Sequence, residues 1–264
     1  MSFSIDFSGR TVIITGVSSG IGAGIAKVFA KTNANIAGCS LEPTEDDGVQ
    51  DFIRTVRKES GRDPLYVQAD VTKLADLENF VTRTIQCYGS IHVLASNAGT
   101  NMFMGAENCS HKDWLHNLNL NLESHWNIAR LTKPFLEKAG NGTIIINASC
   151  HAFNTISGSF PYNIAKAGLK ALVQTLTIEW GPSIRTVGIA PGFIETRLAK
   201  EWFDSFPDPV ASRKKIENFY PLKRLGTPEE IGGWFVFLSS TYAAFSGGQT
   251  YLIDGGRSAI MMEV

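Results

Sequence analysis

Arg10-Thr11-Val12-Ile13-Ile14-Thr15 runs directly into Gly16-Val17-Ser18-Ser19-Gly20-Ile21-Gly22, and this junction decides the fold. The first six residues, rich in β-branched side chains, predict a short buried strand. Ala23 to Lys31 reads as a helix. Glycines in the connecting loop let the backbone approach a ligand, and the helix N-terminus presents free N–H groups. Strand, loop and helix start together make an anion site suited to a pyrophosphate. The spacing is G-x-x-x-G-x-G and not the G-x-G-x-x-G of the usual dinucleotide fingerprint, so a bare glycine turn stands as the alternative.

Asn35-Ile36-Ala37-Gly38-Cys39-Ser40 predicts a second strand, and its end is where a Rossmann half-domain meets the adenosine ribose. An acidic residue there favours NAD, and an arginine or lysine favours NADP. Ser40 is neither, but Glu42, Glu45, Asp46 and Asp47 follow it and would repel a 2′-phosphate. NAD is therefore the expected cofactor, with NADP as the alternative. The alternation continues through a strand over Leu65 to Ala69 ending in Asp70-Val71, a helix over Leu74 to Tyr88, and a strand over Ile91 to Ala95 ending in Asn97-Ala98-Gly99. Such a pattern predicts an α/β fold, a doubly wound parallel sheet of about seven strands with helices on both faces. Asp70 and Asn97 fall at strand ends, where a turn or cap role competes with a ligand contact.

A second centre lies at Tyr162-Asn163-Ile164-Ala165-Lys166. Pro161 can open a helix, Ala165, Leu169, Leu172 and Leu176 recur at helical spacing, and Gly181-Pro182 reads as its stop. Tyr162 and Lys166 then share a face. An ammonium at that distance is expected to pull the phenol below its ordinary pKa of about 10, toward proton exchange near neutrality. Taken alone, a Y-x-x-x-K pair also occurs by chance. Ser149 changes its weight, because it ends the apolar run Thr143-Ile144-Ile145-Ile146-Asn147-Ala148, a predicted parallel strand whose C-terminal end points where open α/β sheets place ligands.

The 264 residues, 44% of them hydrophobic, are enough for one large core and predict a single domain over 1–264. A net charge of −1, with no basic cluster beyond Arg213-Lys214-Lys215, argues against nucleic acid as a partner. No apolar run approaches the ~20 residues of a membrane span, and Met1 to Gly9 lacks the regions of a signal peptide, so no membrane partner and a cytoplasmic location are expected. Cys39, Cys87, Cys109 and Cys150 form no C-x-x-C pair, and the histidines His92, His111, His116, His125 and His151 are scattered. Reduced thiols and no metal site follow.

Two stretches resist a bland reading. Lys112 to Glu137 reads as one long helix, yet it carries Asn117, Asn119, Asn121 and Asn127, poor interior helix residues that imply a task for at least one of them. Residues 197–220 hold Trp202, Phe203, Phe206, Phe219 and Tyr220 without a clear period, so 193–220 is expected to be a lid or substrate loop. A pair of amphipathic helices against a neighbouring subunit is the alternative. Pro191-Gly192-Phe193-Ile194-Glu195-Thr196 precedes it, after a strand over Thr186 to Ala190. Pro228-Glu229-Glu230 opens a last helix, and Gly248 to Gly256 a last strand and turn.

Over essentially its whole length the chain resembles the short-chain dehydrogenase/reductase family. The resemblance is carried by Thr15-Gly16-x-x-x-Gly20-Ile21-Gly22, Asp70, Asn97-Ala98-Gly99, Asn121, Ser149, Tyr162-x-x-x-Lys166, Pro191-Gly192 with Thr196, and Asp254-Gly255-Gly256. It implies that Tyr162 exchanges a proton with the substrate oxygen and that Ser149 hydrogen-bonds that oxygen. Lys166 would tune the tyrosine and hold the nicotinamide ribose, and Asn121 would position a water leading from Lys166 to solvent. Gly16, Ser18, Ser19, Gly20 and Ile21 would line the cofactor's phosphates and riboses. Ser40 would face the adenosine ribose, Asp70 and Val71 the adenine, Asn97, Ala98 and Gly99 the nearby ribose region, and Pro191, Gly192, Ile194 and Thr196 the carboxamide end.

The implied activity is NAD(P)-dependent interconversion of a secondary alcohol and a ketone. A sugar, sugar acid or polyol is the first expectation for the small-molecule substrate, with a 3-oxoacyl thioester or cyclic ketone as alternative. A catalytically silent, cofactor-bound sensor is the rival of another class. Many relatives have aspartate where His92 stands and asparagine where Ser96 and Val187 stand, which puts packing in doubt more than catalysis. Ile164, Ala167, Ala171 and Ile178 lie off the apolar stripe of the Tyr162 helix, so a homo-oligomer, a tetramer as in the family, is expected.

Overall fold

A computed structural model of the chain describes residues 4–261. The part of the leader reading that concerns residues 1–3 lies outside them. Seven strands form one parallel sheet: β1 (Thr11–Thr15), β2 (Asn35–Ser40), β3 (Leu65–Gln68), β4 (Val93–Ser96), β5 (Gly142–Asn147), β6 (Ile184–Pro191) and β7 (Thr250–Ile253). Their order is β3-β2-β1-β4-β5-β6-β7. The direction of winding reverses between β1 and β4, so the crevice beyond their C-terminal ends is where this topology admits a ligand.

Nine α-helices cover the sheet: α1 (Gly20–Ala30), α2 (Asp47–Ser60), α3 (Leu74–Tyr88), α4 (His111–Leu118), α5 (Ser124–Ala139), α6 (Tyr162–Trp180), α7 (Arg197–Asp204), α8 (Pro209–Asn218) and α9 (Pro228–Ser239), counted among the described residues. Strand side chains alternate between two cores. Val12, Ile14 and Ile145 pack with Ile25, Phe29, Phe52 and Phe235 of α1, α2 and α9. Ile13, Ile144 and Ile146 pack with Leu77, Phe80, Ile128, Leu169 and Val173 of α3, α5 and α6. Burial on both faces explains why these strands read as continuous apolar runs.

Three local readings change. The acidic stretch after β2 opens α2: Asp46 accepts from the N–H groups of Gly48 and Val49 at 2.8 and 3.3 Å, and Val49, Phe52 and Val56 face the core. The single helix expected from Lys112 to Glu137 is α4 and α5 joined by a π-helical turn, Asn119–Glu123. The segment 197–220, read as irregular, contains α7 and α8; Thr196 and Asp208 cap them, accepting from the N–H groups of Ala199 and Ala211. Along α6 the buried stripe runs Ala165, Leu169, Val173 and Leu176, with Leu172 half-buried beside it. Among the described residues no helix is long and apolar enough to cross a membrane.

Candidate active site

The glycine loop starts where β1 ends. Thr15 Oγ1 accepts from the N–H groups of Asn97 and Ala98 at 2.9 and 3.0 Å, which ties the ends of β1 and β4 together. A Cβ on Gly22 would stand 1.8 Å from the Gly16 carbonyl oxygen, so only glycine lets α1 begin this close to the strand. Ser19, the residue preceding α1, makes no side-chain cap, and the first turn carries no acidic residue. The helix start therefore presents uncapped N–H donors to the crevice and fits a pyrophosphate. Ser18 donates its N–H to Ser40 Oγ at 3.0 Å. Ser40 is buried, and the exposed side chain at this strand end is that of Leu41.

Asn97 braces the same loop. Its Nδ2 donates to the carbonyls of Thr15 and Gly16 at 3.0 and 3.3 Å, and its Oδ1 accepts from Asn147 Nδ2 at 2.8 Å. Asp70 accepts from the N–H and hydroxyl of Thr72 and pairs with Lys73, so its carboxylate shapes the turn after β3 beside the buried Val71. Each of these side chains bonds partners within the protein. Their nearness to the crevice comes with a framework role.

At the far side, Pro191 closes β6 and Gly192 donates its N–H to the carbonyl of Ile253 in β7 at 3.0 Å. Ile194 is buried and bridges to Gly226. Thr196 lies over the start of α1, since a Cβ on Gly20 would meet its Cγ2 at 3.2 Å. Arg213 of α8 grips Glu195 through two bonds, 2.8 and 2.9 Å, and Glu217 through a third of 3.0 Å. Phe193 packs against Trp202 and Phe203 with ring centroids 5.6 and 5.5 Å apart. The two helices of 197–218 are thus fastened beside the residues that follow β6.

Ser149, Tyr162, Lys166 and Asn121 converge next to this crevice, and all four are buried. Ser149 and Tyr162 interact through their hydroxyls, and Ser149 Oγ also accepts from the His151 N–H at 3.2 Å. Lys166 Nζ donates to the Asn147 carbonyl at 3.1 Å and sits 5.5 Å from the Tyr162 ring centroid. Asn121 lies in the π-helical turn, where its Oδ1 accepts from Thr100 N–H and its Nδ2 donates to Thr100 O and to Asn117 Oδ1. Asn117 in turn donates to the Pro161 carbonyl at the start of α6. Asn117 and Asn121 therefore hold the turn against the start of α6, whereas Asn119 Nδ2 donates to the Thr72 carbonyl. A Cβ on Gly99 would lie 2.6 Å from Asn121 Oδ1 and 3.5 Å from Lys166 Nζ, so a side chain there would fill the space in front of the lysine.

Electrostatics correct one expectation. Burial pushes the Tyr162 phenol above its ordinary range, opposed by its contact with Ser149, and burial brings Lys166 down to about 7. The lowering of Tyr162 expected from Lys166 does not appear: desolvation dominates the phenol, and Lys166 Nζ, itself desolvated, is directed at the Asn147 carbonyl instead of the phenol oxygen. With a single protein hydrogen bond among the described residues, the buried Lys166 has donors to spare for the hydroxyls of a ribose. Cradle, uncapped helix start and under-satisfied lysine together fit a nicotinamide dinucleotide.

The matching family model, described as enoyl-(acyl carrier protein) reductase, spans residues 16–258. The chain is a short-chain dehydrogenase/reductase. An uncharacterized oxidoreductase of Schizosaccharomyces pombe is 35% identical to it over 252 residues, covering 95% of this chain and 92% of that protein. A 3-oxoacyl-[acyl-carrier-protein] reductase of Thermotoga maritima is 29% identical, covering 94% and 97%. The solved structure of L-sorbose reductase from Gluconobacter frateurii, complexed with NADPH and L-sorbose, superposes with a TM-score of 0.91 at 30% identity, covering 98% of this chain and all of that one. The chain is thus an oxidoreductase of a fold that binds NAD(P).

This short-chain dehydrogenase/reductase also has site residues that sequence reasoning passed over. Phe103 and His151 flank the Tyr162 ring, with centroids 5.4 and 5.9 Å away. His151 follows Ser149 by two residues, a nearness that was visible, whereas Phe103 reaches the site only because its backbone bridges to Pro161. The three departures are accommodated. His92 Nδ1 accepts from the Thr11 N–H at 3.0 Å, Ser96 Oγ bonds His125 Nδ1 at 2.7 Å, and Val187 is core. Among the described residues no group of three or more His, Cys, Asp or Glu could hold a metal.

Proposed function

We propose that this oxidoreductase interconverts a secondary alcohol and a ketone, with a sugar, sugar acid or polyol as substrate. The observation that carries the reading is the convergence of Ser149, Tyr162 and Lys166 at the crevice between the glycine loop and the start of α6. A bound nicotinamide would supply or accept the hydride. Ser149 holds the substrate oxygen by its hydroxyl. Tyr162, kept neutral by burial, gives that oxygen its proton as the ketone becomes an alcohol, and takes one back in reverse. Lys166 would grip the ribose, and its positive charge would offset the negative charge left on the Tyr162 oxygen until a proton from solvent, led in past Asn121, restores the phenol.

Gly16, Ser18, Ser19, Gly20 and Ile21 would hold the phosphates, Asp70 and Val71 the adenine, Ala98 and Gly99 the ribose side, and Pro191, Gly192, Ile194 and Thr196 the carboxamide. Segment 193–220 acts as the lid, with α7 and α8 as its body. NAD is preferred over NADP, supported by the absence of a basic residue at Ser40 or Leu41 and by the carboxylates that follow. The sugar assignment draws on the likeness to L-sorbose reductase. A 3-oxoacyl thioester is the second reading, supported by the Thermotoga maritima relative. Ile164 and Ile178, exposed on α6, support assembly into a homo-oligomer.

The test is a screen of ketoses, polyols, sugar acids and acyl thioesters with both cofactors. Turnover confined to one class names the substrate. Cofactor binding without turnover in any class would replace the enzyme by a cofactor-bound sensor.

A further inference from the structure

The scheme above leaves His151 unused, although its ring stands at right angles to that of Tyr162, 78° between planes and 5.9 Å between centroids. Phe103 packs on the same imidazole at 5.2 Å. The main-chain N–H of His151 donates to Ser149 Oγ, so His151 borders both groups that face the substrate oxygen.

The tautomer follows from the bonds behind the ring. His151 Nδ1 is 3.0 Å from Thr155 Oγ1, Thr155 Oγ1 is bonded to Ser159 Oγ, and Ser159 Oγ is 2.8 Å from the Ile156 carbonyl. A carbonyl only accepts, so Ser159 spends its one hydroxyl proton there. Thr155 then spends its proton on Ser159, and Thr155 Oγ1 must accept from the ring's Nδ1–H. A neutral imidazole carries one such proton, so Nε2 is a bare acceptor. Among the described residues no protein group donates to it. Burial lowers the ring's pKa and keeps it neutral near pH 7.

We propose that His151 Nε2 accepts a hydrogen bond from a substrate hydroxyl on the carbon next to the reacting one, so that the site selects α-hydroxy ketones and vicinal diols over their deoxy analogues. The inference rests on the alcohol–ketone reading and sharpens it. It makes the polyhydroxylated class a consequence of one fixed acceptor. A ketone lacking the hydroxyl leaves that acceptor desolvated and unpaired, which is how polar sites reject analogues.

Two measurements test it. Imidazole ¹⁵N spectra near pH 7, assigned with His151→Phe, are expected to show Nδ1 protonated and Nε2 bare, with Thr155→Val releasing the lock. A protonated Nε2 in the wild type overturns the inference whatever the enzyme turns over. Second, kcat/KM is compared for 3-hydroxy-2-butanone and 2-butanone. The wild type is expected to prefer the hydroxylated ketone by about tenfold to a hundredfold, the weight of one hydrogen bond to a half-buried group that the substrate covers. His151→Phe should bring the ratio to within about threefold, and Thr155→Val should lower it by an intermediate amount. A ratio that survives in His151→Phe overturns this inference alone. Turnover of neither ketone by a wild type that also turns over no ketose, polyol, sugar acid or acyl thioester with either cofactor overturns both the inference and the reaction beneath it.

Discussion

Lys166 Nζ donates to the main-chain carbonyl of Asn147, 3.1 Å away, and so joins helix α6 to the end of β5. Asn147 Nδ2 continues the chain to Asn97 Oδ1, and Asn97 Nδ2 reaches the carbonyls that begin the glycine loop. One run of hydrogen bonds thus fixes Lys166 relative to the glycine loop. The groups proposed to place hydride and proton are thus positioned by the C-terminal ends of the same central strands.

The lysine has a pH signature. Burial lowers its pKa to about 7 in the cofactor-free chain, while the unfolded chain keeps the ordinary value near 10.4. Between these values the unfolded state binds more protons, so stability rises with pH across that window, and the penalty is fully present below it. The Tm of the wild type is expected to rise from about pH 7 to about pH 9.5 relative to Lys166→Met, which cannot titrate there. Saturating dinucleotide should flatten the difference, because ribose hydroxyls favour the ammonium. Parallel curves for the two proteins without cofactor would show that Lys166 is not desolvated as described.

Tyr162→Phe keeps the ring packed between Phe103 and His151 and removes the exchangeable proton. General acid–base groups are commonly worth about 10² to 10⁴ in rate, so kcat should fall by that factor while the dinucleotide Kd stays within about twofold. A variant retaining more than about a tenth of kcat would assign the proton to another group.

The legible and illegible parts of this chain divide along a physical line. The strands and Gly16 to Gly22 could be read because burial on both faces and a forbidden Cβ leave few residue choices. The framework tasks of Asn97 and Asp70 could not, since side-chain partners such as Asn147 and Thr72 are set by the sheet order and the turn after β3. Helix α2 was hidden because Asp46 and Asp47, read as charges facing a phosphate, also serve as a helix start. The raised Tyr162 pKa was missed because sequence shows the neighbouring lysine and conceals the burial that desolvates both groups.

Arg213 links α8, part of the segment proposed as a lid, to Glu195, while Glu217 on the same helix helps hold its guanidinium in place. Arg213→Ala should loosen α8 from the segment after β6. KM for the alcohol or ketone is expected to rise by roughly threefold to tenfold, with a smaller change in kcat, because the bridge is partly exposed and screened by salt. The increase should shrink in high salt, where the wild type itself loses the pairing. A KM unchanged by the substitution would show that the lid closes without this clasp.

Cofactor preference turns on the end of β2. Ser40 Oγ accepts from the Ser18 N–H inside the loop, whereas Leu41 is 65% exposed, so residue 41 is the one free to reach past the ribose. Asp46 is spent on capping α2, which leaves Glu42, Glu45 and Asp47 as the carboxylates free to repel a 2′-phosphate. Each of them, at ~8 Å and an effective dielectric between 20 and 80, repels a unit charge by roughly 0.5 to 2 kcal/mol before screening. NAD should be preferred by a few-fold to tens-fold in kcat/KM. Leu41→Arg supplies a charge-assisted bond worth about 1.5 to 3 kcal/mol to a phosphate, enough to move the NADP-to-NAD ratio by roughly tenfold to a hundredfold. Ser40→Asp keeps an acceptor for the Ser18 N–H and adds a negative charge, so it should shift the ratio the other way. The check is kcat/KM with both cofactors for the wild type and the two variants. A wild type that prefers NADP by tenfold or more, with Leu41→Arg adding nothing, would mean that a cation elsewhere in the fold already reaches the ribose.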